Sequence, residues 1–158
     1  MQNTSFKSRT YLTFNRKQKG AAAIEFAAVF ITFFAVFYGL VSYSLPLLMM
    51  QSFNAATTEA VRRAVAVSPT VSGYQGVIQT QASATVLSQL AWMPAALGFD
   101  QTSVTAVYNT ASKLLTVSIN YPVSKLANVV PPLVLPVIGQ VPSLPTFLTA
   151  QASLQLGP

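Results

Sequence analysis

Residues 21–50 read AAAIEFAAVFITFFAVFYGLVSYSLPLLMM, and their only ionisable group of ordinary pKa is Glu25. This run constrains the chain more than any other feature. About 20 apolar residues of helix cross a bilayer core, so the run is long enough to span one. Composition agrees: 52% of the chain is hydrophobic and 8% is charged, against about 25% charged in a typical soluble domain. The lone carboxylate is the anomaly. An acid in or beside lipid costs free energy unless something offsets it.

The charges are sorted along the chain. Lys7, Arg9, Arg16, Lys17 and Lys19 all precede the run, with no acid among them. A basic flank marks the cytoplasmic side of a span. Residues 1–20 are therefore read as a basic cytoplasmic leader, with Arg16, Lys17 and Lys19 at its junction. Residues 21–50 are read as the transmembrane helix segment, and 51–158 as a helix extension plus a small α+β domain outside the cytoplasm. The net charge of +6 otherwise rests on Arg62, Arg63, Lys113 and Lys125, which are scattered. They form no stripe that could follow a phosphate backbone, so nucleic acid is not expected as a partner.

A single long helix is predicted from Ala21 to Val67, roughly 70 Å at 1.5 Å per residue. Pro46 removes one backbone hydrogen bond and should kink or loosen it. Beyond Pro46, Phe53, Ala56, Ala60, Val61, Ala64, Val65 and Val67 approximate one apolar stripe. Gln51, Asn54, Thr58, Glu59, Arg62 and Arg63 take the other side, and Glu59 stands three and four residues before the arginines, an ion-pair spacing. Ser68-Pro69 should end the helix. A second amphipathic helix is expected on Tyr74, Val77, Ile78, Ala82, Val86, Leu90 and Trp92, stopped by Met93-Pro94. The period then becomes two. Strands are predicted over Val104–Tyr108 and Leu114–Tyr121, around a turn near Asn109–Lys113. VVPPLVLPVIGQVPSLP reads as a proline-rich apolar surface loop, and TFLTAQASLQL as a third strand. The fold class is thus an α+β membrane protein: a long N-terminal transmembrane helix, a short second helix and a small antiparallel sheet.

The catalytic inventory is nearly empty. The chain has no cysteine and no histidine, and its acids are Glu25, Glu59 and Asp100. These three are not expected to converge as a paired-carboxylate site requires. There is no phosphate-cradling glycine loop. No metal site, no cofactor and no enzymatic activity are expected.

The informative place is the junction KG followed by AAAIEFAAVF. It resembles the cleavage site of type IV pilins and pseudopilins, which a prepilin peptidase cuts after the glycine. More narrowly, AAAIEFA together with NAATTEAVRRAVAV resembles the TadE family of minor pseudopilins of tight-adherence (Flp, type IVb) pilus systems. The matching positions are Gly20, Ala21 to Ala23, Ile24, Glu25 and Phe26, then Glu59, Ala60, Arg62 and Ala64. The likeness covers about residues 16–67. It implies a pilin-like fold and a precursor cleaved between Gly20 and Ala21. It also implies an assembly or helix-pairing role for Glu25 and Phe26, and a periplasmic domain anchored in the inner membrane. The implied partners are the prepilin peptidase, other pilins or pseudopilins, the inner-membrane pilus assembly platform and membrane lipid. Cleavage would place the new Ala21 amine one helical turn from Glu25, on the same face.

Two plainer readings compete. The chain could be an uncleaved single-pass protein whose outer domain binds an envelope partner, with Glu25 merely balancing Lys17 or Lys19. It could also be secreted through an ordinary signal, although the apolar run exceeds a 7–15-residue signal core. The mature N-terminus separates them: Ala21 for the pseudopilin, Met1 for the uncleaved protein, a residue beyond the apolar run for the secreted one.

Overall fold

The computed structural model describes residues 18–135 and 139–156. Helix α1 runs Gln18–Ala64 and α2 runs Tyr74–Gln89. Three strands follow, β1 (Val104–Asn109), β2 (Leu114–Pro122) and, after an interval, the long β5 (Phe147–Gln155). Between β2 and β5 lie β3 (Leu133–Leu135) and β4 (Gly139–Val141). The chain divides into two compact units, Met1–Tyr38 and Gly39–Pro158.

In the first unit α1 begins at Gln18, three residues ahead of the sequence expectation, since nothing at Gly20 breaks the helix. From Gly20 to Tyr38 no side chain is buried.

The second unit holds the core. Residues Phe53, Ala56, Ala60, Val61 and Ala64 of α1 are buried, as their spacing predicts. Val65 is exposed, because α1 stops at Ala64 and tightens into turns in which Ala66 and Val67 donate to Arg63 and Ala64 carbonyls. In α2 the buried face is Ile78, Ala82, Thr85 and Val86, continued by Leu90 just past the helix. Val77 and Trp92, both expected on that stripe, are exposed instead. Val77 is one residue, about 100°, round from Ile78, and Trp92 lies beyond the end of α2.

The three-stranded sheet has the order β1-β2-β5 and is antiparallel throughout. In β2, Leu115, Val117, Ile119 and Tyr121 are buried, while Thr116, Ser118 and Asn120 lie on the other face. That is the strict alternation a half-buried strand requires. The β1–β2 turn is held by Asn109, whose side-chain oxygen accepts from the Ala111 and Ser112 N–H groups at 2.9 and 3.2 Å. Lys113 completes the turn with φ 50°.

The proline-rich stretch is not simply a loop. β3 and β4 pair as a small antiparallel hairpin, with Leu133 opposite Val141 and Val134 opposite Gln140. Each strand is only three residues long, and the flanking prolines cannot donate to a ladder, which is why the stretch reads as irregular from sequence. Residues 136–138 lie outside the described residues.

Phe53, Phe99 and Tyr121 form an aromatic cluster between α1 and the sheet, with centroids 5.6 Å (Phe53–Phe99), 5.9 Å (Phe53–Tyr121) and 6.4 Å (Phe99–Tyr121) apart. The Tyr121 hydroxyl donates to the Leu97 carbonyl at 2.6 Å, and burial pushes its phenol above the ordinary tyrosine value. Beside it Lys125 donates to the Gly98 carbonyl at 2.7 Å and pairs with Asp100 at 3.2 Å. Gly98 has φ 61°, and a Cβ there would sit 3.3 Å from the Lys125 side chain. This clamp fixes the segment that carries Phe99 into the core.

Candidate functional site: the head of the long helix

Gly20, Ala21, Glu25 and Phe26 all lie in α1. Lys19 falls in its first turn, whereas Arg16 and Lys17 lie outside the described residues. A Cβ built on Gly20 would meet nothing within 4 Å, and its backbone is not in the left-handed region. The chain's own packing therefore gives no reason for a glycine there. Ala21, Ala22 and Ala23 are fully outward, and leave the helix thin at this level.

Glu25 is exposed, and among the described residues no hydrogen bond or ion pair reaches it. It stands at i+4 from Ala21, on the same face and about 6 Å along the axis. Phe26 is one residue further, about 100° round, so the two side chains of the pair share no face. Phe26 is 70% exposed and starts an aromatic ladder. Its ring stacks on Phe30 at 6.0 Å, Phe30 on Phe34 at 6.2 Å, and Phe34 on Tyr38 at 6.3 Å. In the uncut chain the first turn of α1 holds no acid, because the helix starts at Gln18.

The second motif lies further along the same helix. Glu59 binds Arg62 Nε at 2.7 Å through Oε2, and Arg63 Nε at 2.7 Å through Oε1. The hydrogen bonds from Arg62 first, and from Arg63, lower its carboxyl to about 2. Arg62 and Arg63 are exposed, so the network is a solvated one that braces the last turns of α1. Glu59 is thus committed to Arg62 and Arg63, and Asp100 to Lys125.

Sequence reasoning did not find two contacts. Tyr43 accepts a hydrogen bond from the Ser143 N–H at 2.9 Å, a hundred residues away. The Lys125 clamp over Gly98 was also missed. Neither has a motif. Lys125 and Gly98 stand 27 residues apart, and no local pattern links them.

These features define a class: an α+β protein with, among the described residues, one N-terminal helix long and apolar enough to cross a membrane, whose head carries an acid that none of those residues pairs. The helix includes an 18-residue window of mean hydropathy 2.2. Residues 20–62 match the family model described as TadE-like protein. The match starts at Gly20 and lies wholly within α1, taking in both Glu25 and Glu59. No curated protein and no solved structure matches the chain.

Proposed function

We propose that the protein is a minor pseudopilin of a Tad/Flp-type pilus, made as a precursor that a prepilin peptidase cuts after Gly20. The observation that carries this reading is the junction itself. Among the described residues nothing packs where a Gly20 Cβ would stand, and none pairs with Glu25. Both residues gain a use if the chain is cut and assembled. The glycine admits a peptidase close to the backbone, where any Cβ would intrude.

Cleavage also relocates the acid electrostatically. In the precursor Glu25 lies beyond the first turn of α1. After cleavage the helix starts at Ala21, and Glu25 lies about one turn from the positive end of the helix dipole and from a new amine. In a bundle of such helices, Glu25 of one subunit meets the Ala21 amine of the next. Meeting both charges at once selects one axial stagger, and the three alanines let the helices approach closely.

Residues 21–50 then sit in the inner membrane, with 1–20 cytoplasmic by the charge bias and 51–158 periplasmic. The partners are the peptidase, other pilins or pseudopilins and the assembly platform. The test is intact mass and N-terminal sequencing of the protein purified from membranes. Ala21 as first residue supports the reading. Met1 replaces it with the uncleaved single-pass protein, and a start beyond residue 50 replaces it with a secreted one.

A further inference from the structure

We infer that the second unit carries a lipid-contacting surface, made by Phe147, the β3–β4 hairpin and the stretch of α1 around Tyr43–Met50, which lies against the outer face of the bilayer. This rests on the reading of α1 as a membrane span.

Three independent observations converge on it. First, the surface exposes large apolar side chains. Phe147 is 50% exposed and Val134 is 77% exposed, and Leu47 and Leu48 of α1 are exposed as well. Second, Phe147 forms a ridge between two apolar hollows. One, about 380 Å³, is lined by Tyr43, Pro46, Leu47 and Met50 of α1 with Leu144 and Pro145. The other, about 360 Å³, is lined by Pro132, Gln140 and Pro142 of the hairpin region with Pro122 and Leu126. Third, residues 126–158 contain no charged residue. Nothing in this third of the domain loses ionic hydration on meeting lipid. The ion pair Glu59–Arg62–Arg63 stands at the other end of α1, roughly 20 Å beyond Pro46 at 1.5 Å per residue.

The occupant follows from where the surface lies. The Ser143 N–H is bonded to the Tyr43 hydroxyl, so the 142–147 segment is fixed to α1 within the apolar run 21–50. Tyrosine is a residue of the headgroup level. A segment tied to that residue reaches the same depth, where apolar side chains bury among headgroups and acyl carbons. The apolar surface is thus continuous with the Tyr43–Met50 stretch of α1.

The experiment uses the full chain with Trp92→Phe, so that a single new tryptophan reports. Phe37→Trp, Val134→Trp, Phe147→Trp and Val65→Trp are each reconstituted at low protein-to-lipid ratio into phosphatidylcholine vesicles with and without brominated acyl chains. Expected are loss of most emission at positions 37, 134 and 147 on bromination, and none at 65. Val134→Trp keeps the test valid if replacement of Phe147 disturbs the fold. Quenching at 37 with none at 134 and 147, where acrylamide from the water quenches instead, overturns the inference and leaves the span intact. Protection of 134 and 147 from both quenchers assigns the surface to another protein copy and also overturns it. Equal quenching at 65 removes the localisation and overturns it. No quenching at 37 overturns the span itself, and with it the inference.

Discussion

Residues 18–38 and residues 39–156 obey different rules. In the second stretch the chain builds a buried core of its own: Phe53 meets Phe99 and Tyr121, and Ile78, Ala82 and Val86 meet the sheet. From Gly20 to Tyr38 no side chain is buried, yet the sequence there is distinctive, with one glycine, three alanines and one acid in six positions. Side chains left open to this extent are free to make contacts outside the chain. Lipid explains the apolar residues. It does not explain Gly20 or Glu25, and those two carry the functional reading.

The comparison breaks most sharply at Gly20. Gly20→Leu is expected to leave the leader attached entirely, with the thermal unfolding of the second unit unchanged, because a Cβ there touches nothing. Retained mass on a gel checks the first part and a melting curve the second. Full processing of the variant would show that the glycine serves no peptidase. Next comes the core. Phe53→Ala should destabilise the second unit by about 3–5 kcal/mol through lost burial and a residual cavity, whereas Phe37→Ala, a ring of equal size in the first stretch, should leave that transition where it is. Denaturant titration in detergent reads both, and equal losses would erase the distinction drawn here.

A smaller effect is expected at Glu25. Glu25→Gln should insert and be cleaved normally but associate about a hundredfold less well, close to 3 kcal/mol, since the Ala21 amine of a neighbour is left unpaired among packed helices. Cross-linking yield and pilus counts measure it. Wild-type values in both would return Glu25 to a plain interfacial acid.

The smallest effect concerns Glu59. Its folded carboxyl is held at about 2 against an ordinary 4.5. The unfolded chain therefore takes up the proton first as pH falls. The stabilisation is fully present above about pH 4.5 and is lost as pH drops through about 2. Glu59→Gln should flatten that part of the stability profile by a small amount, because both arginines are exposed. A profile unchanged by the substitution would mean that the network does not brace the helix end.

Much of this was legible in the sequence because periodicity reports burial. The stripe through Phe53 and Ala60 gave the buried face of α1, and alternation at Val117 and Ile119 gave β2 and its inner face. The turn at Asn109–Lys113 was legible because asparagine binds its own following backbone. The β3–β4 hairpin was hidden, since three-residue strands set no period and five prolines suggest irregularity. The Phe99 contact was hidden for another reason: it depends on Gly98 and Lys125 meeting across the fold, and no local pattern encodes a meeting. At the junction the residues themselves were legible, from Gly20 through Phe26, and what the structure adds is that among the described residues nothing packs where a Gly20 Cβ would stand and nothing pairs with Glu25.

The sheet also has an order in time. β2 is the central strand, and its two neighbours reach it very differently: β1 through a four-residue turn, β5 only after the 24 residues that separate Pro122 from Phe147. A chain emerging N-terminus first can therefore close the β1–β2 hairpin early, while the far edge of β2 stays open. All nine residues of that edge are eventually capped by β5. Until then the nascent domain presents an unpaired strand and half a core, the state in which other chains can add to it or a chaperone can hold it. The last strand thus acts as a latch, and the interval before it sets how long the latch stays open.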